Sequence, residues 1–544
     1  MAKELVTEVL VIGGGSAATR AAIEAAGAGA SVLLVDKGEV GESGSSPHAL
    51  VGFSVPLLDE DDTPELFVED WAKASGGVCD RDLVAQCARF GRGLAEDMER
   101  RGVKFIANAD GSWFISKRAG HSVRRTLMAK GLGNGIHANV ILPLREALLQ
   151  EGVELCENTL VTRLLLNEGR IAGAYAIGAG GEPLVIRAKA VVLASGGVNR
   201  LYSALCEEVV EHHSRTTGDS YSLAFHAGVP LIDMEFVQFR DSPPAGPIYG
   251  AQYVNALGER IMEKYDPENL ECAPRYMMAR AVYTENFEGR GPVVWHVEEG
   301  QVARSRAPVG ESQFLAGQVV PITLMFQRLT GGARIDVNAA TPVPGLFAAG
   351  EASGGVLGGD RMQGCGFLET QVFGHIAGKS AAAFASAGGL PEIDAASVAA
   401  EQARLAAGAG KIDPAELFEQ VQTVMWKQAG VVSNREQLLD AIAKLEEIRR
   451  LADSDMDISD IVAAEEVRNL ALTAQLVATA KLTREETRSG HGRTDFPAAD
   501  DDKWIRHVRL SRGSDGSIGV DTIPVQLSAG AEAKGAVGET VAAT

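Results

Sequence analysis

The stretch EVLVIGGGSAATRAAIEAAGAGASVLLVDKG, near the start of the chain, restricts the fold more than any other. An apolar strand runs into a glycine turn, an alanine-rich helix follows, and a second strand, Ser31–Asp36, closes a βαβ unit. Gly13, Gly15 and Ala18 match the spacing G-x-G-x-x-G/A, and Asp36 stands where such units place a ribose-binding acid. Glycine lets the backbone approach a pyrophosphate, and the amides at the helix N-terminus, where Ser16 sits, face its negative charge. Lys37 follows the acid and joins the candidate binding set. The unit predicts an α/β, Rossmann-like dinucleotide domain.

NAD and FAD share this fingerprint, so the choice between them rests on later segments. The chain returns to Gly-ended strands only at AVVLASGG, with Ser195, Gly196 and Gly197, and again at GLFAAGE. Widely separated strands of this kind suit an elongated cofactor that spans the domain, and FAD is that cofactor. The second of them opens the run 345–374, GLFAAGEASGGVLGGDRMQGCGFLETQVFG, where Arg361 is the one arginine in a backbone nearly bare of side chains. Such glycine content implies a large ligand lying close to the main chain, and Arg361 implies a charged partner.

With 544 residues, roughly two to four domains are expected. Between 156 and 197 short β-rich runs, broken at NEGR and GAGGEP, predict a meander with a return strand over Ala190–Ala194. A Pro-rich break, RDSPPAGPIYG, begins at Arg240, and regular structure resumes near residue 335. The expected organisation is an FAD-binding domain over 1–239 and 335–388, an inserted α+β capping domain over 240–334, a helical domain over 389–510 and a flexible tail over 511–544. Within the helical part, Ser433 and Glu436 are read as a capping box ahead of an amphipathic helix.

The motifs EVLVIGGGSAATRAAIEAA, AGHSVRR, AVVLASGG, TTGDSYSLAFHAG, DMEFVQF, GERIMEKY, VPGLFAAGEASGG and ETRSGHGRTDFP occur in this order. Together they resemble the flavoprotein family of succinate dehydrogenase, fumarate reductase and L-aspartate oxidase, with some likeness to the adenylylsulfate reductase α subunit, over nearly all of residues 5–510. The resemblance implies hydride transfer through flavin N5. It places Glu351 on the ribityl chain, Gly366 and Phe367 at a helix start facing the pyrimidine end of the flavin, and Ser195 to Gly197 along the dinucleotide. Asp219 belongs to the same cofactor set, and Arg361 keeps the place of an arginine that grips a substrate carboxylate. Ser45 stands where some members attach FAD through a histidine, with His48 nearby, so non-covalent FAD is expected.

The chain departs from the family at the substrate end. Leu357 stands where succinate- and fumarate-type members carry a histidine, and Arg240 replaces a second one. A third gives way to Gln327 and Arg328. The stretch PIYGAQYV before Asn255 is shorter than the Arg-Gly-Glu-Gly-Gly segment of the family and carries neither Arg nor Glu. Reduction of an activated C=C bond needs a hydride source, a proton donor and cations that draw charge into a carboxylate. Succinate–fumarate interconversion is therefore not expected, and the substrate is an anionic organic acid of another kind. Arg240 is open to two readings, an anion clamp with Arg361 or an ion pair with Asp241 or Glu235. His121 and His491 sit beside arginines that favour neutral imidazoles, and both are candidate catalytic groups. Proton transfer falls to Arg240, His121, Tyr249 or Tyr253. Cys365 is read as a packing residue or a nucleophile at a helix N-terminus.

A net charge of −21 argues against nucleic-acid partners. The six cysteines form no CxxC pair, so neither a metal site nor an iron–sulfur cluster is expected within the chain, and a reducing compartment fits. No apolar run reaches about 18 residues and the N-terminus lacks a signal-peptide layout. A cytoplasmic protein is expected, at most peripheral to a membrane through a partner. Alternatives to a stand-alone dehydrogenase or reductase are an electron-transfer subunit with an iron–sulfur partner and an L-aspartate oxidase-like enzyme; a homo-oligomer is also open.

Overall fold

The computed structural model describes residues 2–49, 52–118, 120–131, 136–202, 216–242, 251–296, 319–407 and 410–526. Its largest sheet is built around the first strand, Lys3–Ile12, which pairs in parallel with Val32–Val35 on one side and Pro183–Leu193 on the other. Val32–Val35 carries Glu154–Cys156 beyond it, again in parallel. Pro183–Leu193 is long enough to change partners. Its start runs antiparallel to Arg170–Ile177, which leads to Leu160–Asn167, and its end runs parallel to Leu346–Ala348. The central strands are apolar and covered on both faces, as a parallel core requires.

One face of this sheet is covered by two helices, Ser16–Gly27 and Cys365–Ser386, packed on each other through small residues. A Cβ at Gly378 would lie 2.2 Å from the Ala21 carbonyl, so glycine is what permits the close crossing. The crossing brings the N-termini of both helices to the same cavity.

Within 240–334, the described residues contain a three-stranded sheet of Gln252–Val254, Val294–His296 and Val319–Pro321, and the helix Arg275–Phe287. Val237–Ser242 and Thr323–Leu329 pair antiparallel at its base, which sets Arg240 opposite Met325. Four helices follow, Ala395–Ala406, Pro414–Gln428, Arg435–Ser454 and Ile461–Thr483.

Two expectations are corrected. The capping box of Arg435–Ser454 is formed by Asn434 and Gln437, one residue later than Ser433 and Glu436, because Asn434 Oδ1 accepts the Gln437 amide at 2.9 Å while the Gln437 side chain accepts the Asn434 amide at 3.0 Å. The tail from 511 is not loose up to residue 526. Arg506–Arg512 and Ile518–Pro524 form a hairpin on a sheet ordered Ser353–Gly354, Gly332–Arg334, Leu231–Ile232, Arg506–Arg512, Ile518–Pro524. Ladder bonds to Leu231–Ile232 order a segment whose composition alone reads as flexible. Residues 527–544 lie outside the described ones. Among the described residues, no helix is long and apolar enough to cross a membrane.

Candidate active site

One elongated cavity collects most of the residues singled out in the sequence. Gly13, Gly15, Ser16, Asp36, Lys37, Ser45, Ser195, Gly196, Asp219, Glu351, Arg361, Gly366, Phe367 and Arg240 all line it. Ala18 is buried in the helix behind the glycine turn. Gly197 stands just outside the lining, against Glu351: a Cβ there would meet the Glu351 Oε1 at 2.2 Å. His121 and His491 do not line the cavity.

At the turn, Gly13 has φ +121° and a Cβ would lie 2.3 Å from the Ala194 carbonyl, so no side chain fits between the two strands. The helix that follows has Gly15 as N-cap with no side-chain cap, and Cys365–Ser386 likewise begins after Gly364, φ +84°, with none. Two helix N-termini with glycine N-caps border one cavity, the first with its Ser16 amide bonded to Ser46 Oγ at 3.1 Å, and their remaining amides suit a pyrophosphate and the electron-rich end of a flavin. Asp36, raised above its ordinary carboxyl range by burial, accepts from Ser43 Oγ at 2.8 Å. Burial alone would lower the Lys37 ammonium, but Asp219 at 2.8 Å and Glu466 at 3.0 Å outweigh it and hold it charged. Among the described residues, Asn199 Oδ1 is buried without a hydrogen-bond partner while its amide group donates to Ser45 Oγ at 2.8 Å. A glycine cradle, an acid at the end of the second strand, two helix N-termini and the Asn199 oxygen fit FAD.

The other end of the cavity is rich in arginine. Arg118, Arg240, Arg275, Arg328 and Arg361 all line it. Arg361 donates from Nε to Gln238 Oε1 at 3.2 Å and from its amide to Asp360 at 2.8 Å, while Gln238 bonds Asp360 in turn. Burial, then the neighbouring guanidiniums of Arg328 and Arg275, push Arg361 down to about 10. Arg328 reaches Glu369 at 3.6 Å, and burial raises that carboxyl to about 7. Burial likewise raises Asp360 to about 6, and raises Glu351, which accepts the Leu329 amide at 3.1 Å. A point 3.1 Å from Arg328 Nη1 and 3.2 Å from Arg361 Nη1, where a Gly366 Cβ would sit, marks how closely the two cations approach.

Arg275 is the functional candidate that the sequence reading missed. It opens the helix Arg275–Phe287 and donates from Nη1 to Gln327 Oε1 at 3.2 Å. With the Gln363 amide turned so that its oxygen faces the guanidinium, that oxygen accepts from Nη2 at 2.9 Å. Among the described residues no carboxylate lies within ion-pair distance of Arg275. Only the fold brings residue 275 beside residue 361; no local pattern announces it.

The histidines take other roles. His121 Nε2 is 2.7 Å from the Gln363 carbonyl and 3.4 Å from Ser54 Oγ, and burial lowers its pKa to about 4. It positions the turn ahead of the helix Cys365–Ser386 from behind. The catalytic role expected of His491 does not match its geometry, because its ring is fully buried, its Nε2 meets the Arg484 carbonyl at 3.0 Å, and its loop carries no part of the cavity wall. Glu235, one suggested partner of Arg240, pairs with Arg484 at 2.7 Å, and the side chain of Asp241 lies outside the described residues. Tyr249 lies outside them too, and Tyr253 packs edge-on against Trp295 away from the cavity lining. Burial pushes the Cys365 thiol up to about 12, so it is a packing residue.

Comparisons with known proteins agree with this geometry. The FAD binding domain family matches residues 8–367, and the fumarate reductase flavoprotein C-terminal family matches 418–534. A CoM/CoB fumarate reductase subunit from Methanothermobacter marburgensis is 31% identical over 93% of this chain and 97% of its own length. An L-aspartate oxidase from Caulobacter vibrioides is 32% identical over 90% of this chain and 94% of its own. Among solved structures, the FrdA chain of E. coli quinol fumarate reductase superposes with a TM-score of 0.86 at 25% identity, covering 97% of this chain and 98% of that one. The glycine-turn domain, the two glycine-capped helix ends at one cavity and these matches together place the chain among the FAD-dependent oxidoreductases of the succinate dehydrogenase and fumarate reductase flavoprotein family.

Proposed function

We propose that this protein is a dehydrogenase or reductase for a small organic substrate bearing anionic groups, other than succinate or fumarate. The observation that carries this reading is the arginine end of the cavity, where Arg118, Arg240, Arg275, Arg328 and Arg361 all line the wall, with Glu369 3.6 Å from Arg328 and Asp360 beside Arg361 as buried carboxyls close by. Guanidiniums gathered in a buried wall, with the pKa of Arg361 lowered by burial first and by Arg328 and Arg275 second, favour an anion between them. FAD, bound non-covalently along the glycine cradle, supplies hydride exchange at N5. Arg361 and Arg240 orient an anionic group of the substrate, and Arg328 adds charge where the histidine of fumarate-type members would stand. Arg275, held among the described residues by the neutral amides of Gln327 and Gln363, is the candidate proton donor. Within 240–334, the helix that begins with Arg275 and the strand that carries Arg328 border this end and help to exclude water.

The test is an anaerobic screen in which the reduced enzyme is mixed with unsaturated mono-, di- and tricarboxylates and phosphorylated enoates, and flavin reoxidation is followed by absorbance. Reoxidation by one such anion, with fumarate at least about 100-fold poorer in kcat/KM, is the expected result. Fumarate as the best acceptor, or no response to any anion, rejects the reading.

A second reading follows from the Methanothermobacter relative, which is one subunit of a larger enzyme. Here the flavoprotein passes electrons to an iron–sulfur partner. Co-purification of a cysteine-rich protein from the native source, with loss of turnover when it is stripped away, supports that arrangement. A fully active isolated chain excludes it.

A further inference from the structure

A second cavity, of about 230 Å³, lies away from the arginine end, between the strand Leu160–Asn167, the short helix Asp219–His226 and the C-terminal helices. Four guanidiniums enter its wall from four elements: Arg163 from that strand, Arg404 from Ala395–Ala406, Arg449 from Arg435–Ser454 and Arg468 from Ile461–Thr483. His226, at the last turn of its own helix, completes the wall.

Carboxylates account for only part of this charge. Glu401 holds Arg163 at 3.0 Å and Arg404 at 2.6 Å, and Glu465 holds Arg404 at 2.7 Å and Arg468 at 2.5 Å. Asp453 stands 3.6 Å from Arg468 but is 70% exposed, where water weakens the pair. Among the described residues, Arg449 has no carboxylate within ion-pair distance, and its one hydrogen bond goes to the neutral Gln475 side chain. Burial lowers its pKa and outweighs the attraction of Asp453 and Glu446, which lie on the same helix outside ion-pair distance. No hydrogen bond to a ring nitrogen of His226 is formed among the described residues. Burial and the guanidiniums of Arg163, Arg512, Arg404 and Arg449 press that imidazole down to about 3.

An under-compensated guanidinium in a half-enclosed cavity is costly, and an anion offsets the cost. Donors that converge from four elements do not share a plane, which matches a tetrahedral oxyanion better than a lone carboxylate. The volume holds a phosphate with a few additional atoms and is too small for a nucleotide. We propose that this cavity is a second anion site, which takes the phosphoryl group of inorganic phosphate or of a small phosphorylated metabolite. It is separate from the substrate end, yet it touches the cofactor region: Asn469 lines it and donates to Asp219 at 3.0 Å, and Asp219 holds Lys37 on the adenosine side.

The test is calorimetric titration of the FAD-bound enzyme, at constant ionic strength, with inorganic phosphate and separately with glycerol 3-phosphate. One saturable site is expected, abolished by Arg449→Gln, weakened at least about tenfold by His226→Gln, and retained in Arg361→Gln, which disturbs the other arginine cluster. The tighter ligand of the two assigns the source as free phosphate or a metabolite. If Arg449→Gln does not fold, His226→Gln carries the comparison. Absence of binding by both ligands up to about 10 mM overturns the proposal. So does binding that survives both variants of this cavity or disappears with Arg361→Gln, and the four arginines are then a latch between strand and helices.

Discussion

In the loop that follows the helix Ile461–Thr483, arginines are enclosed by acceptors; at the cavity end they face one another. Arg484 donates to Glu235 at 2.7 Å, to Glu486 at 3.0 Å and to the carbonyls of Trp504 and Arg506 at 2.8 and 2.6 Å. Arg488 takes Glu486 and Asp501, and Arg493 takes Asp495 with the carbonyls of Lys481 and Leu482. Arg361, in the cavity wall, has Gln238 and the adjacent Asp360, with Arg328 and Arg275 as like-charged neighbours. A closed set of buried charges fixes one arrangement of the chain, while an open set is held in place by its surroundings and is completed by a ligand. The motif ETRSGHGRTDFP therefore locks the fold, and His491 inside it is part of the lock.

The largest expected effect breaks the closed set. Arg484→Gln leaves Glu235 and Glu486 buried with one cation fewer, and a loss of about 3–5 kcal/mol is expected in urea unfolding of the FAD-bound enzyme. A loss below about 1 kcal/mol would mean that the loop is not the lock it resembles. Breaking the open set should have the opposite signature. Arg361→Gln lowers kcat/KM for the substrate found by anion screening by about 10²–10³-fold, through lost charge-assisted binding in the transition state. Its unfolding free energy in the absence of substrate holds or rises, because a cation under like-charge pressure is gone. A variant that loses stability and activity together contradicts the distinction.

The two regions also differ in how far the sequence disclosed them. The glycine turn, Asp36 and the bare run around Arg361 are legible because backbone demands leave a local signature: no side chain fits at Gly13, and no other residue type tolerates that approach. Arg275 left no such trace, since an arginine at the start of a helix is ordinary until the fold sets it beside Arg361. His121 and His491 share the same local sign, an imidazole next to arginines, yet one abuts the cavity wall through Gln363 and the other is sealed behind Arg484. The hairpin at 506–524 did carry a usable signal, a GSDG turn between alternating residues, which low-complexity composition further on obscured.

His121 offers a smaller test at the boundary of the open set. Its folded pKa, about 4, lies below the ordinary 6.5 because burial disfavours the imidazolium, so the unfolded chain binds the proton more readily. The stability this represents is complete above about pH 6.5 and is lost as pH falls toward 4. At pH 5 the cost is about 2 kcal/mol. His121→Gln, which can still donate to the Gln363 carbonyl, removes that component, so its unfolding free energy declines less than that of the natural chain between pH 7 and pH 5. Parallel declines would assign the acid sensitivity to other groups.

The smallest effect concerns the outer edge of the closed set. Asn434 caps the helix Arg435–Ser454, and the adjoining backbone is tied to the loop by a bridge from Ser433 to Arg493 and by the Arg435 amide to Asp495 at 2.9 Å. Asn434→Ala removes one acceptor from the first turn and should cost about 1 kcal/mol. Since Arg493 and Asp495 keep their own partners, that loss appears in unfolding and leaves kcat/KM unchanged. Combined with Arg484→Gln it should add independently if the cap acts only on its helix, and exceed the sum if the loop depends on the helix start for its position. The double variant thus measures whether the lock extends beyond its arginines into the helical part of the chain.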